Sequence, residues 1–135
     1  FIETARRLST AQGVVATRAV GKFGLAYALA RMAFPANVGA QIEKEALQKA
    51  RGTEIDPAAL FEEHFYEGIF AVQAQDALEF EKEFAALQKS APQAELHRLG
   101  QTIAGRLDIA SIMDADVGTL NAAYEGGWQE SLNVP

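Results

Sequence analysis

The chain has 135 residues, with 18 acidic against 12 basic side chains, a formal net charge of −6 and an apolar share of 49%. That is the composition of one soluble globular domain able to bury a core, and its acidity argues against duplex nucleic acid, which rewards clustered Lys and Arg. With no cysteine there is neither a disulfide framework nor a zinc–thiolate site, and no apolar run approaches a membrane span.

In chain order, residues 2–34 read as one long helix ended by Pro35, with Leu8, Ala11, Val15, Ala19, Leu25, Ala26 and Leu29 on its apolar stripe. Gly13, Gly21 and Gly24 interrupt it as close-packing sites or a weakened midpoint. Asn37 is placed to cap a second helix through Arg51, and Gly52 to end it as the C′ residue. Asp56 and Pro57 then form an N-cap and first-turn pair. They open a helix over residues 56–89, whose buried face is Phe61, Phe65, Ile69, Val72 and Phe80. Ser90-Ala91-Pro92 ends it, and a fourth helix over 93–112 carries Leu96, Leu99, Ile103 and Leu107 inward. Nowhere does a period-2 run of β-branched residues signal a sheet. The expected fold is therefore one all-α domain over 1–135. It is a helical bundle of two long helices and two or three shorter ones, and 114–135 is an irregular tail with one short helix near 119–125.

Four constellations could carry chemistry. On a continuous first helix, Arg7 and Arg18 lie close to three turns apart and share a face, with Lys22 one turn further on. In the 56–89 helix, Asp76 falls on the apolar stripe beside Gln73 and Gln75, and a buried carboxylate is costly without a partner. These two groups are expected to face each other across a polar pocket, or else the arginines reach solvent and Asp76 joins a structural ion pair. The remaining two are metal-like but incomplete. Glu62, Glu63, His64 and Glu67 lack a second Glu-x-x-His helix. Residues 114–125 have Thr119 where a calcium loop needs glycine. No metal and no cofactor is expected.

Two segments, ARRLSTAQGVVATR (5–18) and IDPAALFEEHFYEGIFAVQAQDA (55–77), resemble the first and later helices of the all-helical chorismate mutases, in particular their exported subclass; GRLDIAS (105–111) is a weaker echo. The resemblance implies an intramolecular isomerase that rearranges chorismate to prephenate without a covalent intermediate. Arg7 and Arg18 would grip a carboxylate and the ether oxygen, and Arg31 or Lys22 the second carboxylate. Asp76 or Gln75 would donate to the ether oxygen, with Val72, Gln73 and Arg106 lining the ligand. The implied partner is a small-molecule dicarboxylate, with a second copy of the chain as a further expected partner, and no nucleic acid or membrane. The alternative is a non-catalytic helical interaction module whose surface lies around 66–70 or Trp128. Exported and cytoplasmic settings both fit, since Phe1 stands where an initiator Met is missing and a removed leader would explain it.

Overall fold

The computed structural model describes residues 1–132, with side chains described through Gly127; Trp128 as an interaction residue therefore lies outside the described residues. The chain is α/β, which corrects the all-α expectation. The elements are α1 (Ile2–Ser9), β1 (Val14–Ala19), α2 (Gly24–Ala33), β2 (Val38–Ile42), α3 (Lys44–Arg51), β3 (Gly68–Val72), α4 (Ala77–Gln88), β4 (Gly100–Ala104), β5 (Arg106–Ile109), β6 (Met113–Asp116) and α5 (Val117–Leu132). Short 3-10 turns stand at Phe34–Ala36, Ala58–Phe61 and Ala74–Asp76.

Each expected long helix is thus split around a strand. The first breaks at Gly13, whose φ of +83° favours glycine, and resumes as β1, where Val14, Val15 and Thr17 suit a pleated surface. The 37–51 helix divides into β2 and α3, although Gly52 does end α3, with φ +69° and its N–H on the Gln48 carbonyl. The 56–89 helix becomes a 3-10 turn, β3 and α4. Asp56 does cap there, accepting the Ala59 N–H at 2.8 Å, but it caps that turn and not a helix. Residues 93–112 hold β4 and β5 where a fourth helix was expected, and the segment after 112 forms β6 and α5.

Two sheets result. β1 and β3 pair antiparallel, with a bulge between Val14 and Ala16. The other sheet has the order β4-β2-β5-β6, in which β2 runs antiparallel to β4 and parallel to β5. Only Gly105, at φ +69°, separates β4 from β5, so the chain passes round the start of β2 and flanks it on both sides. Its N–H bonds to the Asn37 carbonyl just ahead of β2. Gly39 lies under this crossing, where a Cβ would run into the Arg106 carbonyl.

The core forms two clusters. In the larger, α2 contributes Leu25, Ala26, Leu29 and Ala33, packed with Ile42, Leu47, Leu60, Leu107, Ile109 and Val117. Its alanines let the sheets approach the helix closely, and α2 contacts elements of both sheets. The smaller cluster is Leu8, Ala11, Phe80 and Phe84, where α1 and α4 pack together with Phe70 and Val72 of β3. The β1–β3 pair therefore separates the two clusters, with Ile69 packed on the larger and Phe70 on the smaller. No helix among the described residues is long and apolar enough to cross a membrane.

Candidate functional site

The turn from β1 into α2 reads Val20-Gly21-Lys22-Phe23-Gly24, closed by the Gly24 N–H on the Gly21 carbonyl at 3.0 Å. Cross-strand partners share a face of a sheet, so Arg18, opposite Ile69, is on the side that Ile69 packs toward α2. Its guanidinium carbon lies 5.9 Å from the ring centre of Tyr27, in the first turns of α2. Arg31 stands one helical turn beyond Tyr27, the separation at which helical side chains meet. Its Nη1 donates to the hydroxyls of Tyr27 and of Tyr124 on α5, each at 2.8 Å. Its guanidinium carbon is 5.7 Å from the Tyr27 ring centre and 4.7 Å from that of Tyr124. Phe23 meets Tyr27 edge-on at 5.1 Å, and Phe34 meets Tyr124 at 5.6 Å.

The electrostatics of this cluster run against those of the chain. Among the described residues neither Arg18 nor Lys22 has a side-chain hydrogen bond or an ion pair, and Arg31 meets phenols and no carboxylate. The start of α2 has no side-chain cap and no acidic residue in its first turn. Its unpaired amides therefore add positive potential beside the two cations. The hydrogen bond from Arg31 is the main cause that holds the Tyr27 hydroxyl below the usual phenol pKa of 10.0, with smaller help from the Tyr124 hydroxyl and from the charges of Arg31 and Arg18. Tyr27 should accordingly ionise at a lower pH than a free tyrosine, and Arg31→Gln should move it back up, as read from phenolate absorbance in an alkaline titration. The sign follows from linkage. A phenol whose pKa is depressed by folding adds stability above its unfolded pKa, and loses that contribution as pH falls through the folded value.

The other sequence-selected residues lie elsewhere. Arg7 is on the exposed flank of α1 and pairs with Glu3 at 3.2 Å. Asp76 is buried at the end of the 3-10 turn before α4, where it accepts a hydrogen bond from Gln12 Nε2 at 2.9 Å. Gly13 abuts its side chain, and the Gln73 N–H bonds to the Gly13 carbonyl. Asp76 thus clasps the α1–β1 turn to the β3–α4 turn. Gln75 hydrogen-bonds Gln73 at the surface, and Val72 packs toward the smaller core cluster. Arg106, on β5, pairs with Asp114 of β6, which raises its pKa. The structure brings Arg18 and Arg31 to one ring and gathers Gln73, Gln75 and Asp76 at another turn. No hydrogen bond or ion pair among the described residues joins Arg7 or Arg106 to either group.

Three further places lie outside these two groups. A shallow hollow of about 90 Å³, open to solvent, lies between α1 and the β1–β3 sheet, lined by Phe1, Ala5, Thr17 and Phe70 among others. His64 approaches Glu67 at 4.0 Å, and Glu67 is the partner of Arg51 at 2.8 Å. Asp116, in the segment with calcium-like acids, accepts the Thr119 N–H at the start of α5. No group of three or more potential metal ligands gathers among the described residues.

Tyr27 and Tyr124 are the side chains that the sequence reading missed. The four-residue spacing of Tyr27 and Arg31 was a usable signal. Tyr124 gave none, because it comes to Arg31 from the far end of the chain.

Architecture and site together define an α/β domain of two sheets with a cationic, aromatic-walled patch at a strand–helix turn. The family described as AIR synthase related protein, C-terminal domain, matches residues 1–111, and the chain belongs to it. No curated protein is a detectable relative of the chain. This membership replaces the resemblance to chorismate mutases, since the family is an α/β one. Residues 5–18 are a helix, a turn and a strand, so Arg7 and Arg18 do not share a helix face. Residues 55–77 hold turns and β3 in place of a substrate-contacting helix. The chorismate-rearranging isomerase reading falls with that geometry, and so does its alternative of a helical interaction module.

Proposed function

We propose that the chain works as the C-terminal domain of an AIR synthase-related enzyme, and that its β1–α2 turn holds the anionic part of a small-molecule substrate. The observation that carries this is the pair of cations without a carboxylate partner, Arg18 and Lys22, at a helix start that has neither cap nor acid. In a chain of net charge −6, carboxylates to neutralise them are plentiful, and none is spent there. Oriented backbone amides at a helix start and a guanidinium with its planar fork both suit a phosphate or carboxylate group. Family membership supports the enzymatic setting, and the exposed turn gives a ligand access.

Inorganic phosphate is the simplest probe. Titrated into the full chain at constant ionic strength, it should shift the backbone amide signals of residues 20–25 in a saturable way. Arg18→Ala and Lys22→Ala should each weaken that binding about 10-fold or more, because a hydrogen bond to a charged group contributes roughly 1.5–3 kcal/mol. A folded double variant that binds phosphate as well as the parent chain would overturn the assignment.

A further inference from the structure

Beyond the turn, we infer that Arg31, Tyr27 and Tyr124 form a second oxyanion-binding site at the junction of α2 and α5, separate from the Lys22 turn. The argument is a count of donors. Arg31 Nη1 spends its two hydrogens on the two phenol oxygens. Nε and Nη2 keep their remaining hydrogens, since a guanidinium carries five N–H donors and accepts nothing. Each phenol oxygen already accepts from Arg31, and the hydrogen bond between the Tyr27 and Tyr124 hydroxyls takes one of their two protons, leaving the other unspent. Both phenol oxygens lie 2.8 Å from a single nitrogen, so they are close neighbours. The cluster therefore offers unspent donors from a guanidinium and one hydroxyl, and no carboxylate among the described residues is bonded to them. What satisfies such a set is an oxygen-rich anion.

The surroundings agree. Arg18, a further cation without an ion pair, lies over the same Tyr27 ring. Tyr124 is 48% exposed, so an ion can reach the site from solvent. The rings of Phe23 and Phe34 brace the two phenols from outside, which fixes the donors before an anion arrives and lowers the ordering cost of binding. A purely structural latch between α2 and α5 would need the two Arg31–phenol bonds, but not the unspent donors beside them. The ligand class is a free oxyanion or an oxyanionic group on a small molecule, and sulfate and acetate as separate probes distinguish a tetrahedral group from a carboxylate.

The test is a titration of the full chain with sodium sulfate, and in parallel with sodium acetate, at ionic strength held constant with chloride. The side-chain Nε–H signal of Arg31 and the ring signals of Tyr124 are followed by nuclear magnetic resonance. A saturable shift with either anion, and an upward move of the Tyr27 ionisation when that anion is bound, is the expected result. Arg31→Gln should weaken binding about 10-fold or more and Tyr124→Phe roughly 2- to 13-fold, while Lys22→Ala leaves it unchanged. If Tyr124→Phe loosens α5 by circular dichroism, Tyr27→Phe, on the better-packed helix, replaces it with the same expectation. Absence of a saturable response with both anions overturns the site, as does binding that survives Arg31→Gln. Loss of the response in Lys22→Ala equal to that in Arg31→Gln also overturns it, since the ion would then belong to the turn. Phosphate binding at residues 20–25 tests the turn alone, so either site can fail without the other.

Discussion

Alanine in place of Gly24 should destabilise the chain by about 2–5 kcal/mol, the sum of two costs. Gly24 has φ +77°, and a side chain in the left-handed region costs roughly 1–2 kcal/mol. A Cβ there would also stand 2.6 Å from the Phe61 carbonyl carbon and 2.7 Å from the Leu60 oxygen. Both are backbone atoms that cannot rotate aside, and overpacking of this kind typically costs about 1–3 kcal/mol. The neighbouring Gly21 is the control, because nothing lies within 4 Å of its Cβ position and its φ is unexceptional; Gly21→Ala should stay within about 0.5 kcal/mol of the parent. Urea denaturation of the two variants measures both. Equal midpoints would mean that the start of α2 does not press against the Leu60–Phe61 backbone.

Leu107→Ala should cost about 3–5 kcal/mol, the upper part of the range for leucine truncation in a core. Leu107 has no solvent exposure and sits on β5, a strand paired on both sides. Its register neighbours are Ala40 on β2 and Ala115 on β6. These are too short to fill the space a missing side chain leaves, and the sheet backbone cannot collapse to close it. Val15→Ala, on the 62% exposed side of β1, should by contrast move the midpoint little. A cost at Leu107 no larger than at Val15 would refute the packing of β5 under α2.

The punctuation of the chain was legible in the sequence, while the conformation between the marks was not. Gly52 ends a helix as expected, and Asp56 caps locally, though with Pro57 it opens a 3-10 turn in place of the expected helix, because caps and turns depend on a few adjacent residues. The strands were misread for two physical reasons. Phe61, Phe65, Ile69 and Val72 repeat at helical spacing, yet Phe61 and Phe65 face solvent, and Ile69 packs on a different cluster from Val72. Periodicity alone cannot tell that coincidence from a stripe. The strands themselves are only four to six residues long, too short for alternation to stand out. Gly13 and Gly24 were noticed, but as close-packing sites inside a helix; both carry positive φ, and both are also tightly packed against neighbours. Of the candidate site, Arg18 and Lys22 were selected from sequence for a helix face shared with Arg7, and Arg31 through the chorismate mutase resemblance, and neither reason survived. The ring that Arg18 and Arg31 share, and the phenol arriving from α5, depend on tertiary contacts that no local pattern encodes.

The enclosure of β2 between β4 and β5 sets an order of events during synthesis. When α4 has been made, the β1–β3 pair and the α1–α4 cluster have all their residues. β2 at that moment has neither neighbour, and the side of α2 that will face Ile42, Leu107 and Ile109 is bare. Both neighbours then arrive together, across the single residue Gly105. Pairings between residues so distant in the chain form slowly, and unpaired strand edges invite association in the interval. The second sheet is therefore the late and vulnerable half of this fold, and a nascent chain stalled just before Gly100 would hold an apolar helix and an unpaired strand waiting for the same ten residues.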